Sequence, residues 1–275
     1  MAEYELKDSD FEKISTLVYN KCGINLHSGK KELVSARLGK RLREGGFASF
    51  ADYYKHITGE QGAEELVLMI DSISTNLTYF FREESHFIKL SELLSVFSES
   101  AAQEKGDPKL LIWCAGCSTG EEPYSVSMTV RESLRVPSVK VRILATDIST
   151  TVIKKAAAGI YPADKVKNIP APLLNKYFQR GAGERAGYLR VKKEIRTMVN
   201  FKLFNLMQSP PSEVHFDFIF CRNVMIYFDK QTQQRLVGNF FNSLKKGGYF
   251  FIGHSESLTG LSHSFKYVEP SVYKK

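Results

Sequence analysis

One short stretch, from Leu110 to Pro123, limits most strongly what this chain can fold into. It opens with the apolar run Leu110–Trp113, which shows no alternation and is typical of a strand buried on both faces of a parallel sheet. Small residues follow at 115–120, and Glu121 then begins a predicted helix. A tight turn between a buried strand and a helix lets a ligand approach the backbone, and in doubly wound sheets such ligands bind at the carboxyl ends of the strands.

The charges at the start of this helix indicate what kind of ligand the turn accepts. Glu121 and Glu122 lie in the first helical turn, where a phosphate site needs a helix end free of negative charge and a Gly-Lys-Ser/Thr sequence. The pattern favours a ligand that carries a cationic amino group, such as S-adenosylmethionine. The alternative interpretation is a glycine-containing turn whose acidic residues simply complement the helix dipole.

The chain alternates strands and helices from this point onward. A second buried strand, Val141–Thr146, ends at Asp147, and further strands are predicted at Val199–Phe204 and Phe216–Cys221. This alternation predicts a parallel sheet with right-handed crossovers. Asp147 stands where doubly wound nucleotide-binding folds place the acid that binds ribose hydroxyls, although Asp147 or Ser149 could instead cap the next helix.

The periodicity also predicts how the chain divides into domains. Residues 1–82 are expected to form an all-α N-terminal domain, with a capping box at Ser9 and Glu12. Residues 83–109 are interpreted as a connecting helix followed by a linker at 101–109. Residues 110–275 are expected to form the sheet domain. Its alternation of strands and helices is interrupted at about 159–198, where a small, basic β-subdomain is predicted as an insertion.

Three local predictions complete this assignment. Ile195–Val199 has strand character. A helix at Lys230–Leu244 is expected to end at Lys245–Gly248, because basic residues and glycines are favoured at helix C-termini. Phe265–Tyr273, interrupted by Pro270, is expected to supply edge strands.

The composition excludes some classes of protein. No run of eighteen apolar residues exists and the N-terminus is acidic, so we expect a cytoplasmic protein without membrane insertion. The four cysteines agree with reduced thiols. Cys114 and Cys117 form a C-x-x-C pair, but no second pair completes a set of four zinc ligands, so no metal site is predicted. Packing of small residues at a strand end is the favoured interpretation, with a redox pair as the alternative.

The net charge of +8 is concentrated in two segments. Residues 13–57 hold nine basic and three acidic side chains, and residues 150–202 hold twelve and three. The helix predicted at 30–44 places Lys30, Arg37 and Arg41 on neighbouring positions of one face. Two basic surfaces indicate an acidic macromolecular partner, and the alternative is that these are solvated faces without a partner.

Several motifs, in order along nearly the whole chain, resemble those of the chemotaxis receptor methyltransferases, the CheR family. They are NLTYFFRE at 76–83, CSTGEEPYS at 117–125, ATDI at 145–148, CRNVMIYF at 221–228 and GHSES at 253–257. The resemblance implies an α/β fold: a doubly wound S-adenosylmethionine-dependent methyltransferase sheet with a small inserted β-subdomain, preceded by an all-α N-terminal domain. It also implies a bacterial, monomeric protein-glutamate O-methyltransferase that acts in sensory adaptation by esterifying glutamates of chemotaxis receptors.

The resemblance further implies roles for individual residues. Arg82 and Tyr227 would lie nearest the transferred methyl group. The basic helix would face the acidic helical bundle of the receptor through Lys30, Arg37, Lys40 and Arg41. In some members the β-subdomain docks a pentapeptide at the receptor C-terminus. The residues implied to contact the cofactor, S-adenosylmethionine or its product S-adenosylhomocysteine, are Asn76, Thr78, Arg82, Glu121, Asp147, Asn205, Leu206, Arg222 and Asn223.

The chemistry implied here needs little from the protein beyond placement. A glutamate carboxylate is ionised at neutral pH, since its reference pKa is about 4.3, and it attacks a sulfonium methyl without a general base. Arg82 can hold the incoming carboxylate or that of the methionine moiety, and Tyr227 can donate an orienting hydrogen bond. We therefore expect Arg82→Ala to abolish methylation and Tyr227→Phe to weaken turnover more than cofactor binding. Reversing the charges of Arg37 and Arg41 is expected to raise the receptor KM.

Two other functions share this fold. Methyltransferases that act on the amino groups of bases usually carry Asp/Asn-Pro-Pro-aromatic after the fourth strand, whereas this chain has Cys221-Arg222-Asn223-Val224. Cytosine-C5 enzymes use a Pro-Cys nucleophile, and here Phe220 precedes Cys221. Nucleic acid is therefore not the expected partner. A non-catalytic scaffold or cofactor sensor is the second alternative, which the presence of intact motifs disfavours.

Overall fold

The computed structural model describes residues 4–103, 106–210 and 213–275. In the described N-terminal part, four α-helices pack around one core. Their fully buried side chains include Ile14, Leu38 and Tyr53, which come from three different helices. Left-handed glycines end the first two helices, as their sequences predict. The helices are α1 (Asp8–Cys22), α2 (Lys31–Gly45), α3 (Phe50–Thr58) and α4 (Ala63–Ile73).

The capping box predicted at Ser9 and Glu12 is wrong. Helix α1 begins one residue earlier, at Asp8, and its N-cap is Lys7, which makes no side-chain capping hydrogen bond. Asp8 and Asp10 lie in the first turn, where their charges complement the positive end of the helix dipole. Ser49, by contrast, caps α3, because its hydroxyl accepts a hydrogen bond from the Asp52 N–H at 3.1 Å.

The remaining chain alternates strands and helices as predicted. The strands are β1 (Lys109–Ala115), β2 (Lys140–Asp147), β3 (Ile160–Pro162), β4 (Phe178–Arg180), β5 (Tyr188–Val191), β6 (Val199–Leu203), β7 (Phe216–Cys221), β8 (Leu244–Ile252), β9 (Lys266–Glu269) and β10 (Val272–Lys274). The helices are α5 (Ser85–Gln103), α6 (Glu121–Ser133), α7 (Thr150–Ala158), α8 (Ala171–Tyr177), α9 (Lys193–Arg196) and α10 (Lys230–Ser243).

Within the described residues, seven strands form one sheet in the order β6-β2-β1-β7-β8-β10-β9. Neighbours from β6 to β8 are parallel, and β10 pairs antiparallel with both β8 and β9. The chain moves to one side of β1 with β2 and to the other side with β7, so the strand order reverses between them. Crevices at such reversals are where open α/β sheets bind ligands.

Strand β1 is buried on both faces, which confirms the interpretation of its continuous apolar run. Ile112 and Cys114 face a core that contains side chains of α5 and α6, such as Leu90. Trp113 faces the opposite core, where it packs against Phe240 of α10 at 5.3 Å between ring centroids. The Trp113 indole N–H also donates to the Thr146 hydroxyl at 2.9 Å, so its polar atom is satisfied inside the core.

The predicted insertion is present as a small antiparallel sheet. In the described residues, three strands pair in the order β3-β5-β4, and the loop 181–187 joins β4 to β5 as predicted. Phe80 packs into the core of this insertion at 4.9 Å from Tyr161. The segment 76–82 is therefore anchored to the insertion by an aromatic side chain.

Two of the local predictions are wrong. Lys193–Arg196 forms the short helix α9, and the following strand begins only at Val199. The apolar residues Ile195, Met198 and Val199 fit helical spacing as well as alternation, so periodicity alone could not separate the two. Residues 245–248 do not end a helix, because β8 already begins at Leu244. The predicted edge strands near Phe265–Tyr273 are present as β9 and β10.

Helix α5 is a layer of the sheet domain as well as a connection to it. Its residues Phe87, Leu90 and Leu94 are buried in the core on one face of the sheet. The linker predicted at 101–109 is described only in part, because 101–103 is the last turn of α5 and residues 104–105 lie outside the described residues. The domain limits 1–82, 83–109 and 110–275 remain our proposal.

The N-terminal domain contacts the sheet domain at the carboxyl edge of the sheet. The Asp71 carboxylate accepts hydrogen bonds from the first residues of α7, including 2.6 Å from the Thr151 hydroxyl. The Asn25 N–H donates to the Tyr227 carbonyl at 2.8 Å, and Ile24 forms a β-bridge with Phe228. Among the helices of the described residues, none has the length and apolar character needed to span a membrane.

Candidate active site

A cavity opens at the carboxyl ends of β1, β2, β6 and β7, under the edge of the N-terminal domain. The volume of this cavity is about 240 Å³. Several separate parts of the chain line it: the α1–α2 region, the segment 73–82, and the turns after β1, β2, β6 and β7. The sequence-predicted candidates that line it are Asn76, Thr78, Arg82, Asp147, Asn205, Leu206, Arg222, Asn223, Tyr227 and Lys30.

The turn after β1 forms one wall. The N–H groups of Gly116 and Cys117 donate to the Thr146 carbonyl at 2.8 and 2.9 Å, which ties this turn to the end of β2. Gly116 has φ +78°, and a Cβ there would lie 2.4 Å from the Val224 side chain. Only glycine therefore fits, because both the left-handed backbone and the close approach exclude a side chain.

The Asp147 carboxylate fastens the two neighbouring turns together. One oxygen accepts the Ser118 N–H at 2.9 Å and the other accepts the Ser149 N–H at 3.0 Å. Burial raises the pKa of Asp147, and these N–H groups only partly offset that effect. Ser149 is the N-cap of α7, so the capping role belongs to it. Since each carboxylate oxygen has a second acceptor position, Asp147 can still accept ribose hydroxyls.

The two glutamates at the start of α6 differ in position. Among the described residues that line the cavity, Glu122 is present and Glu121 is not. The Glu121 carboxylate is buried and accepts a hydrogen bond from the Thr119 hydroxyl at 2.6 Å. The cofactor contact of Glu121 therefore stays a prediction, whereas its neighbour Glu122 lines the cavity.

Arg222 is the centre of a buried ion network. Its guanidinium donates to Glu83 at 2.9 Å and to Glu122 at 3.1 Å, and its side chain is only 2% exposed. It also donates to the Arg82 carbonyl. Although burial raises the pKa of Glu83, Arg222 outweighs it and leaves this pKa below the usual range. Burial dominates at Glu122 and raises its pKa. The network thus joins three segments far apart in sequence: 82–83, α6 and the end of β7.

Arg82 and Tyr227 both lie on the cavity wall. The Arg82 guanidinium donates to the Leu77 carbonyl at 2.9 Å and lies 5.9 Å from the Tyr79 ring centroid. Within the described residues this is its one hydrogen bond, so other guanidinium N–H groups are available to a carboxylate. Tyr227 ends a short 3₁₀ turn, Met225–Tyr227, and the N-terminal domain holds its backbone through Asn25.

Two predicted cofactor residues have structural contacts as well. The Asn205 amide donates to the Lys21 carbonyl at 2.6 Å and accepts the Met207 N–H at 2.9 Å. The Asn76 carbonyl accepts a hydrogen bond from the Ser118 hydroxyl at 3.2 Å. Both residues therefore connect the cavity wall to neighbouring segments, which fixes the shape of the wall before any ligand binds.

The basic helix α2 does not present all its charges to solvent. Arg41 donates to both carboxylate oxygens of Glu65, at 3.0 and 2.7 Å, and is 17% exposed. Arg37 donates to the Ile73 carbonyl and to the Thr75 hydroxyl. Lys40, in contrast, is 73% exposed. Reversing the charges of Arg37 and Arg41 would therefore break the packing of α2 on α4, so Lys40 is the better residue for testing receptor docking.

One cluster outside the predicted site resembles a set of metal ligands. The ligand atoms of Glu83, His86 and His254 lie within 4.8 Å of one another. The Glu83 carboxylate is already paired with the Arg222 guanidinium at 2.9 Å. A divalent cation bound here would lie close to that positive charge, so these residues fit an ion pair better than a metal centre. Cys114 and Cys117 are buried, and burial raises their thiol pKa values well above normal.

His86 predicts a measurable pH dependence of stability. Burial, assisted by nearby Arg222, lowers its pKa to about 3, against about 6.5 in an unfolded chain. Because the pKa of His86 is lower in the folded protein, the stability that depends on its neutral form is fully present above about pH 6.5. That stability is lost as the pH falls towards 3. His86→Phe keeps the ring contact with Phe251. Below about pH 6.5, we expect this variant to reduce the dependence of the free energy of unfolding on pH by up to about 1.4 kcal/mol per pH unit.

Urea unfolding at pH 7, 5 and 4 measures this slope. His215 is exposed, so His215→Gln serves as the control and should leave the slope unchanged. Equal slopes for wild type and His86→Phe would contradict the prediction.

Sequence reasoning missed the contacts of three carboxylates that shape the site. They are Glu83 and Glu122, which pair with Arg222, and Glu256, which accepts backbone N–H groups from the turn after β7. All three lie inside the quoted motifs. The available signal was a charged residue flanked by apolar or small residues near a strand end, since such a residue is buried only if it is paired.

Both parts of the chain match known family models. Residues 9–74 match the "CheR methyltransferase, all-alpha domain" and residues 76–274 match the "CheR methyltransferase, SAM binding domain".

Relatives with chemotaxis names are similar over nearly the full length. A "Chemotaxis protein methyltransferase" of Borreliella burgdorferi is 42% identical over 97% of this chain and 94% of its own length. "Chemotaxis protein methyltransferase 2" of Pseudomonas aeruginosa is 41% identical over 98% and 94%. The Escherichia coli "Chemotaxis protein methyltransferase" is 39% identical over 98% and 91%. The likeness therefore includes both the helical domain and the cavity-bearing sheet.

Proposed function

Because this chain belongs to the CheR family of S-adenosylmethionine-dependent chemotaxis protein methyltransferases, we propose that it esterifies glutamate side chains of chemotaxis receptors. The observation that carries the proposal is the cavity at the carboxyl ends of the parallel strands. Asp147, Arg82 and Tyr227 all line it. Proteins of this fold act on many substrates, so the substrate is argued from the site.

The cavity is suited to S-adenosylmethionine. Asp147 would accept the ribose hydroxyls, and apolar Leu206 and Ile148 on the lining would cover the adenine. Glu122 adds a carboxylate near the cationic part of the cofactor. When bound, the cofactor supplies a methyl group activated by the positive sulfur. Gly116 lies on the cavity lining, and its lack of a side chain would let the ligand approach the backbone there.

The residues of this chain would contribute orientation and exclusion of water. A glutamate substrate is ionised at neutral pH, so no group here needs to remove a proton. Arg82 offers unused guanidinium N–H groups to a carboxylate, which would hold one oxygen towards the methyl carbon. The Tyr227 hydroxyl can donate a hydrogen bond that fixes the angle of approach. Closure of the site by the receptor would remove the water that solvates the two opposite charges.

A direct assay tests this function. The protein is incubated with methyl-tritiated S-adenosylmethionine and the cytoplasmic fragment of a receptor, and base-labile methanol is collected. Methyl esters release volatile label in mild base, whereas N-methyl groups do not. A receptor fragment with glutamine at the methylated positions is the matched control. Label that is stable to base, or label transferred to nucleic acid instead, would contradict the proposal.

We expect charge on α2 to affect receptor binding. Lys40→Glu should raise the receptor KM by about 3- to 10-fold at low salt, because an exposed positive charge on α2 attracts an acidic helical bundle. The effect should shrink at high ionic strength. Lys109→Glu is the matched control, since Lys109 is exposed at the start of β1, on the opposite edge of the sheet. An unchanged KM for Lys40→Glu would mean that α2 is a solvated face.

The β-subdomain is proposed to hold a C-terminal receptor pentapeptide. Strand β4 is an edge strand of the small sheet, and edge strands accept extended peptides through main-chain hydrogen bonds. Arg180 and Arg185 add positive charge near this edge. Methylation of receptor fragments with and without the C-terminal tail tests this contact, because a tethered substrate has a lower KM. Equal KM values would contradict it.

A further inference from the structure

Glu256 makes an unusual set of contacts for a residue that does not line the cavity. One carboxylate oxygen accepts the N–H groups of Val224 at 3.0 Å and Ile226 at 3.3 Å. The other accepts those of Asn223 at 2.8 Å and Gly253 at 2.5 Å. A single side chain thus satisfies four backbone donors, and three of them belong to the turn that follows β7.

The sheet explains why Glu256 reaches this turn. Strands β7 and β8 are parallel neighbours, and Cys221 pairs with Ile252 at their carboxyl ends. The turns that follow them therefore lie side by side, and Glu256 bridges the gap between them. Burial raises the pKa of Glu256, while the backbone N–H groups oppose that effect. Four donors converging on one carboxylate are the arrangement that stabilises its ionised form.

The turn that Glu256 holds carries two cavity residues. Asn223 has φ +58°, a left-handed conformation that a non-glycine residue adopts only when its surroundings favour it. Tyr227 follows four residues later, at the end of the 3₁₀ turn. Glu256 binds the N–H of Asn223 itself and those of two residues between them. The carboxylate therefore fixes the backbone of a turn whose residues Asn223 and Tyr227 both line the cavity.

We propose that Glu256 is a positioning residue for methyl transfer, which acts by holding the turn 223–227 so that Asn223 and Tyr227 face the cofactor and the incoming carboxylate. Glu256 itself touches neither reactant. The proposal rests on the proposed function, because turnover is measured on a receptor glutamate. A displacement of about 1 Å at the reacting groups is enough to slow a reaction by about 10²-fold, so the effect is expected in kcat.

The decisive variant is Glu256→Gln. Each carboxylate oxygen accepts two N–H groups, and an amide replaces one oxygen by an NH₂ group. Two backbone donors then face another donor, and the turn must move to separate them. We expect kcat to fall by about 10- to 100-fold while the dissociation constant of S-adenosylmethionine changes by less than about 5-fold. Glu256→Asp keeps the charge but is one methylene shorter, and its kcat should lie between those of Glu256→Gln and wild type.

Asp217→Asn is the matched control. The Asp217 carboxylate also accepts a backbone N–H, from Leu111 at 2.8 Å, and it pairs with Lys245, but it lies at the opposite end of β7. Its loss should lower the unfolding midpoint without lowering kcat, measured well below that midpoint.

The measured outcomes separate the possibilities. Loss of kcat in Glu256→Gln but not in Asp217→Asn supports the proposal. A kcat of Glu256→Gln within twofold of wild type would overturn it. A loss of kcat that follows the loss of stability equally in both variants would also overturn it, because the role would then be structural only. If Glu256→Gln does not fold, a wild-type kcat in Glu256→Asp would overturn the proposal instead. Absence of methyl-ester formation by the wild-type protein would instead refute the proposed function.

Discussion

Replacing Arg82 with alanine is expected to lower methyl-ester formation by about 10²- to 10³-fold, a reduction of turnover rather than of stability. Arg82 lies on the cavity wall and is 26% exposed, and its guanidinium makes one hydrogen bond within the described residues. Its remaining N–H groups can bind a carboxylate in two-point geometry. Without them the negatively charged oxygen is not held against the methyl carbon.

Three comparisons make the Arg82 experiment specific. Arg82→Lys keeps the charge but loses the planar fork, so it should recover only part of the rate. Arg131→Ala, at an exposed position near the end of α6, is the control and should behave as wild type. Tyr227→Phe should reduce turnover more than cofactor affinity. Wild-type turnover in a folded Arg82→Ala protein would refute the assignment of Arg82 to the reaction.

The largest effect on stability is expected for Arg222→Met, which should lower the free energy of unfolding by about 3–5 kcal/mol. Methionine fills much of the same volume but leaves Glu122 buried without a cation. It also removes the nearest cation from Glu83, whose other cation, the Arg82 Nε, lies 4.0 Å away. Equilibrium unfolding in urea measures the change. Lys245→Met is the matched control, because Lys245 pairs with Asp217 at 2.8 Å but is 39% exposed. Its loss should cost about 1 kcal/mol or less.

The pH dependence of Arg222→Met gives an independent check. In the wild type, Arg222 keeps the pKa of Glu83 below its usual range, so this contribution to stability is present at neutral pH and is lost on acidification. In the variant, which lacks the Arg222 guanidinium, Glu83 and Glu122 are stabilised by protonation instead. The stability difference between the two proteins should therefore shrink from pH 8 to pH 5. Adding Glu122→Gln to the variant should restore part of the loss at pH 8. A constant difference would show that the loss comes from packing alone.

The local sequence pattern was sufficient to predict the structure where neighbouring residues alone determine it. The apolar run at 110–113 is buried on both faces of a parallel sheet, as its lack of alternation predicts. The glycine at position 116 has the positive φ that a sharp turn requires. Asp147 ends β2 on the cavity wall, as its place after an apolar strand predicts. In each case neighbouring residues alone decide the backbone conformation and the buried face.

Sequence patterns were insufficient where a side chain has two possible environments. Glu121 and Glu122 are adjacent on α6, and which of them reaches the cavity depends on how the helix is rotated against the sheet. That rotation is set by the packing of Val126 and Val130 in the core. Arg41 occupies the same helical stripe as Arg37, yet Glu65 of α4 lies opposite it and holds it in an ion pair. Helical spacing places residues on a face, but it does not say what that face contacts.

The sequence by itself determined the order of the helices and strands, α9 excepted, together with the doubly buried central strand and the sheet edge where a ligand binds. Only the tertiary structure decided which charged groups meet there. Arg222 pairs with Glu122, 100 residues away, and with Glu83, 139 residues away, and Glu256 reaches the turn after β7 across a neighbouring strand. The reason is physical: periodicity reports contacts within a few turns or one strand, whereas a buried charge is stabilised by whichever partner the complete fold brings within hydrogen-bond distance.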